Sequence, residues 1–398
     1  MDAKLDYYYI INPKSNLNVT FGSIFSHQKF NSNLFQFLDD GLTFNPTPNF
    51  NNGLAINDIE YNFKDLYLGA HYRLKVGKFT ITPGFSLHSY GNNNTQFSQE
   101  FKDDFFRIMP DFETRVQFKN SESLTLRYDM QNQFTDVTKL AQGLVLNNFS
   151  TIQFGEPELQ NALSHNLSLV YSSFNLFNYT NVFARLAYSK NIDQIRNITS
   201  FENVISTSTF FNSNFADESA NAFGRIQRTF GKLIASVNLS FNYSKINQLI
   251  DSRRSVNTGF TRSYTPRLRT NFKKAPNVSL RYKYTVSTNN QGPNETTFYT
   301  SAPSIDFDAY IWKSVTLKTD YTYTNQSLRG GNSDNFQTWN ASISYRKNRD
   351  TKWEFEVVAT NLLDIDSKVS NTATNLFVSE SRIFIQPRFI TFRLRYEL

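Results

Sequence analysis

The sequence predicts an all-β fold, an antiparallel transmembrane β-barrel with about 17–18 strands in these residues. Three observations predict it. Apolar and polar residues alternate with a period of 2 along most of the chain, and short and long connections alternate as well. No stretch stays apolar for the roughly 20 residues that a membrane-spanning helix needs. With Phe 39, Tyr 21 and 19% charged residues, the chain is too aromatic for disorder and too polar for a helical membrane protein.

The strands show the period in turn, after a first strand from Lys4 to Ile11 that carries the apolar run YYYII at 7–11. Phe112, Thr114, Val116 and Phe118 share one face, and Leu124, Leu126, Tyr128 and Met130 continue it beyond a short turn at 120–123. Leu268, Thr270 and Phe272 lead into Val278, Leu280, Tyr282 and Tyr284. Ile305, Phe307, Ala309 and Ile311 precede Val315, Leu317, Thr319 and Tyr321, and Trp339, Ala341, Ile343 and Tyr345 precede Trp353, Phe355, Val357 and Ala359. The last run sets Ile390, Phe392, Leu394, Tyr396 and Leu398 against Arg393, Arg395 and Glu397. Arg127, Arg281, Lys283, Lys318 and Glu354 fall on the other parity, as expected where a charge on the lipid face costs about 2–4 kcal/mol. Tyr282, Tyr284, Tyr321, Tyr323, Trp339 and Trp353 sit where interfacial girdles are expected.

Short turns are expected at 12–16, 75–78, 120–123, 230–232, 274–277, 312–314 and 348–350, and longer polar loops at 28–58, 90–104, 133–163, 287–297, 327–335 and 364–380. Transmembrane barrels show this asymmetry, with short periplasmic turns and longer outer loops. Soluble sandwiches and propellers also alternate apolar and polar residues. However, the chain lacks a propeller's period, and strands of about 10–15 residues exceed the usual five or six. Residues 1–398 therefore read as one barrel domain. An odd strand count and the absence of a signal-like start in MDAKLDYYYI lead to the expectation that N-terminal strands, a plug and a signal peptide lie outside this sequence.

Three stretches carry a family resemblance. FGEPELQNALSHNLSLVY (154–171) resembles the G-N-P-x-L … H-N … Y segment of TonB-dependent outer-membrane receptors, especially the outer-membrane β-barrel family of Bacteroidetes. ATNLLD (359–364) is similar to their N-L-F-D element, and QPRFITFRLRYEL (386–398) to their last strand. Glu156 stands for the usual Asn and Leu398 for a commoner Phe, and the sequence shows neither plug nor TonB box. The resemblance implies part of a 22-strand barrel in the bacterial outer membrane, importing a scarce bulky nutrient such as a siderophore, glycan or peptide. Implied partners are outer-membrane lipid, the barrel-assembly machinery, the TonB complex through a plug and a surface lipoprotein. By the same resemblance, Gly155, Pro157 and Leu159 form a family-motif loop. The terminal strand with Phe392, Leu394, Tyr396 and Leu398 is the one that the assembly machinery reads.

Candidate chemistry is sparse. Zero cysteines exclude disulfides, thiolate metal sites and thiol nucleophiles. The 41 basic residues are dispersed and the net charge is +7, so no nucleic-acid partner is expected. His27, His71, His88 and His165 are scattered without metal-ligand spacing. His88 beside Ser89 suggests a lipase-like dyad, but with no supporting acid or amide in sight no enzyme and no cofactor are expected. The pairs Asp39–Asp40, Asp103–Asp104 and Asp364–Asp366 read as solvated loop charges. Phe35, Phe37, Phe44 and Phe50 are candidates for a ligand entrance, or for packing the loops together. The function expected is uptake through an outer-membrane barrel. The alternatives are a non-transporting or truncated barrel with a structural or adhesive role and, behind it, a soluble β-protein.

Overall fold

A computed structural model of the chain describes residues 1–44, 55–203, 205–250, 253–273, 276–292, 294–312, 314–331, 333–348, 350–373 and 378–397. The first strands are β1 (Asp2–Asn12), β2 (Ser15–Asn33), β3 (Gln36–Phe37), β4 (Thr43–Phe44), β5 (Ile56–Val76), β6 (Phe79–Gln96), β7 (Gln99–Lys119) and β8 (Glu122–Gln133). A 3₁₀ turn, Val137–Lys139, comes next. It is followed by β9 (Val145–Asn148), β10 (Thr151–Phe154), β11 (Ala162–Asn175), β12 (Thr180–Ile192), β13 (Gln194–Glu202), β14 (Ile205–Ser213), β15 (Asp217–Phe230) and β16 (Leu233–Ile250). The remainder is β17 (Arg253–Thr270), β18 (Asn277–Gln291), β19 (Asn294–Ile311), β20 (Val315–Leu328), β21 (Ser333–Tyr345), β22 (Trp353–Thr360), β23 (Ser367–Ala373), β24 (Val378–Phe384) and β25 (Phe389–Tyr396).

Among the described residues the main sheet has 21 strands. All but β9, β10, β13 and β14 form an antiparallel meander of seventeen, in which each strand pairs with the next along the chain. Among the described residues its two edges are β1 and β25. The two-residue period follows from the pleat, which turns successive side chains to opposite faces. One end of the meander carries short turns, at 13–14, 77–78, 120–121 and 231–232. A further turn at 176–179 also lies there, hidden in the sequence because LFNY is apolar; Asn175 Oδ1 accepts from Phe177 N at 2.9 Å to form it.

At the other end the expected long loops divide into two kinds. Between 90 and 104 there is no loop. The ladder of β6 and β7 continues to Gln96↔Gln99, and only Phe97 and Ser98, both at positive φ, form the turn. Ladders likewise run to Gln291↔Asn294 and Ser327↔Ser333. These Asn-, Gln- and Thr-rich stretches look like loops, yet a ladder is satisfied through its backbone whatever the side chains are. The segments 34–55, 134–161, 193–216 and 361–388 are true excursions. β9–β10, β13–β14 and β23–β24 lie within the last three, and β3–β4 pairs within the first.

Candidate functional site

The register separates two chemically different faces. Cross-strand rows on one are apolar: Leu5↔Phe21↔Leu68↔Leu87↔Ile108, then Leu126↔Leu169↔Leu186↔Ala222↔Phe241, then Phe392↔Val357↔Ile343↔Leu317↔Ala309. Many of these side chains are exposed: Leu5 is 70%, Phe21 56%, Ile108 65% and Phe392 79% exposed. On β21, Ala341 and Ile343 lie between Trp339 and Tyr345, a span of ~20 Å along the strand and thus of bilayer scale. Trp353 packs on Tyr396 with ring centroids 4.7 Å apart. Arg262 departs from the pattern, sitting on the apolar face with its guanidinium 5.7 Å above the Phe260 ring.

The opposite face holds the charges in cross-strand pairs. Arg127 bonds Glu113, Arg395 Nη2 lies 2.9 Å from Glu356 Oε2, and Arg281 Nε donates to Ser304 Oγ at 3.0 Å. A sheet with an exposed apolar band on one face and paired charges on the other is the wall of a transmembrane β-barrel.

The excursion 134–161 is packed onto the polar face. Val137, Leu140, Ala141 and Leu159 form one buried cluster with Ile59, Tyr61 and Phe63 of β5 and Tyr90 of β6. Two buried amides hold its backbone. Asn57 accepts from Gly143 N at 2.8 Å and donates to Leu144 O at 3.0 Å, while Gln96 accepts from Gln142 N at 3.0 Å and donates to Leu140 O at 2.9 Å. A Cβ at Gly143 would collide with Ile56 O. The clamps could not be read in the sequence, where both amides fall in stretches resembling loops. Asp136 begins the excursion; the Thr138 hydroxyl and backbone N–H hold its carboxyl below the usual range, with a smaller contribution from Lys139.

The motif residues lie in this excursion and at the opposite flank of the meander. Gly155 N donates to Ala141 O at 2.6 Å, and a Cβ there would collide with Lys139 O. Pro157 O accepts from Asn94 Nδ2 at 3.2 Å, and Leu159 is buried. The other two motif stretches meet each other. Asn361 Nδ2 reaches Ile365 O and Gln386 O, and Asp364 accepts from Arg388 N at 2.8 Å and from Arg388 Nη2 at 3.3 Å. The Asp364 carboxyl is thereby held below its ordinary range, chiefly by the Arg388 backbone N–H. Phe392, Leu394 and Tyr396 are exposed on the apolar face of β25, while Leu398 lies outside the described residues.

Phe35 and Phe37 are exposed and touch each other edge-on at 5.2 Å. The Phe44 side chain and all of Phe50 fall outside the described residues. Asp103 and Asp104, read as loop charges, lie within β7 because the ladder extends past the expected loop. Asp40 caps a turn through Leu42 N. No group of three or more metal-ligating side chains occurs among the described residues.

The histidines are dispersed, but two of them face carboxylates on the polar face. His71 Nε2 lies 2.9 Å from Asp111 Oδ2. His88 Nδ1 lies 2.9 and 3.0 Å from the two Asp65 oxygens, and its Nε2 lies 2.9 Å from Ser86 Oγ. Ser89, the neighbour noticed in the sequence, has the opposite parity and shares the apolar-face register with Leu66. His27 contacts Asn62 at 2.7 Å, and His165 contacts the Tyr128 hydroxyl at 2.8 Å.

No family model and no curated protein matches the chain. Solved structures do match. The copper transporter OprC is 9% identical over 99% of this chain and 65% of its own length, with a TM-score of 0.44, so the chain spans less than two thirds of that protein. The ferripyoverdine receptor of the outer membrane of Pseudomonas aeruginosa is 10% identical over 99% of this chain and 69% of its own, at a TM-score of 0.31. OmpT, an outer-membrane protein of Vibrio cholerae, is 10% identical over 96% of this chain and 99% of its own, at a TM-score of 0.35. At these identities the barrel-wall assignment rests on the chain's own register and faces.

Proposed function

We propose that this chain is wall of a bacterial outer-membrane barrel of the TonB-dependent receptor type, serving the uptake of a scarce, bulky nutrient. The observation that carries the reading is the pair of faces, a band of exposed apolar side chains backed by a polar face into which one excursion is docked. The motif-like stretches support it, since FGEPEL lies in that docked excursion and ATNLLD is bonded to QPRF. In this reading the strands belong to a 22-strand wall around a plug. The excursions contact ligand, with Phe35 and Phe37 exposed at that end. Lipid, the assembly machinery, the TonB complex and a surface lipoprotein are the partners.

Two measurements test the reading in sequence. Membrane fractionation with heat-modifiable gel migration should recover a folded outer-membrane species; recovery in the soluble fraction without detergent would sink it. A deletion strain should then lose growth on one class of scarce nutrient and regain it on complementation. An intact barrel with unchanged uptake would favour the structural or adhesive alternative.

A further inference from the structure

The polar wall carries a nucleophile arrangement that the uptake reading does not use. We propose that Ser86, His88 and Asp65 form a hydrolytic triad acting on small neutral carboxylic esters. The geometry runs in one direction. Asp65 is 4% exposed and places both oxygens on His88 Nδ1, which therefore carries the proton and donates. That leaves Nε2 as the acceptor for the Ser86 hydroxyl at 2.9 Å. The imidazole cannot swing away: Tyr67 stacks on it at 5.1 Å and Tyr90 at 5.2 Å, with interplanar angles of 18° and 15°.

A histidine needed only for structure would be satisfied by two buried partners. Here the second partner is a half-buried serine that opens on a cavity of about 460 Å³, lined also by His71, Met109, Asp111, Glu113 and Arg127. Gly69 stands opposite Ser86 in the register and contributes no side chain over it. Arg127 binds Glu113 through Nε and Nη2. The carboxylates of Asp111, Glu113 and Asp129 on the cavity wall disfavour acidic substrates.

The chemistry balances without a cofactor. Ser86 Oγ bonds to the ester carbonyl carbon as its proton passes to His88 Nε2. The bond to the alkoxide then breaks, and the departing alcohol takes that proton. Water, deprotonated by Nε2, attacks the acyl carbon and releases the carboxylic acid, restoring the Ser86 hydroxyl.

The test uses the full chain folded in detergent micelles, with heat-modifiable migration as the check on folding. Probes are an alkyl fluorophosphonate, mapped by mass spectrometry, and p-nitrophenyl butyrate. Wild type should be labelled at Ser86 and should hydrolyse the ester. Ser86→Ala should abolish both signals, Asp65→Asn should lower kcat by ~10³–10⁴-fold, and Ser89→Ala should change neither. If His88→Gln does not fold, Ser86→Ala still decides, because it removes one hydroxyl from a half-buried position. Labelling that is absent in wild type, or equal in Ser86→Ala, overturns the triad while leaving the barrel intact.

Discussion

Two buried ion networks use similar parts and end differently. In the excursion 193–216, Arg196 is held from every side. Its Nη1 and Nη2 lie 3.0 and 2.8 Å from the two Asp217 oxygens, Nε donates to Ser213 Oγ at 3.1 Å, and the carbonyls of Asn247 and Phe215 take further N–H groups. Asn247 N closes the set on Asp217 at 2.8 Å. The Asp65–His88–Ser86 chain is equally directional, but it ends on a hydroxyl beside a cavity. A network whose donors all find protein partners fixes a strand pair in place. One that ends at open space keeps an atom available for chemistry.

That contrast can be broken by substitution. Arg196→Ala should loosen the docking of β13–β14 by about 3–5 kcal/mol, because Asp217 is left buried without its counter-charge; faster proteolysis within 193–216 would report it. Asn57→Ala should weaken the docked excursion by about 1–3 kcal/mol through the orphaned Gly143 N–H and Leu144 carbonyl, measured by hydrogen exchange of 140–144. Ser86→Ala should cost no more than about 0.5–1.5 kcal/mol in denaturant unfolding while removing the proposed hydrolysis. A large loss of stability there with no loss of labelling would erase the distinction between the two networks. The smallest effect belongs to Asp136. Its folded-state pKa is depressed, so its contribution is complete above the unfolded value of about 3.8 and fades as pH falls through the lower folded value. Asp136→Asn should flatten that acid limb by less than ~1 kcal/mol.

Much of the wall was legible in the sequence because lipid imposes a severe rule. On β8, Leu124, Leu126 and Tyr128 share the apolar face, and Arg127 and Asp129 take the other parity. Stretches such as 91–96 were opaque for the opposite reason: the side chains of GNNNTQ resemble those of a loop, and only pairing with β7 makes them strand. The site was half visible. Parity alone could have moved attention from Ser89 to Ser86, since positions two apart share a face and adjacent ones do not. Asp65 could not be found that way, because its approach to His88 depends on the register of β5 against β6. The Asn57 and Gln96 clamps are subject to the same limit, each reaching a backbone more than forty residues away.

The meander also has a kinetic meaning. Most neighbouring wall strands are joined by short turns, and because closure entropy grows slowly with loop length even the four excursions allow the wall to grow strand by strand. The docked excursion cannot form so early. Its cluster requires Ile24 and Phe30 from β2 together with Ile195 from β13 and Phe210 from β14. Burial of Leu140 and Leu159 is thus a late checkpoint, reached only after the strands from β2 to β14 have assembled. A fluorophore placed there would time completion of that part of the wall rather than its initiation.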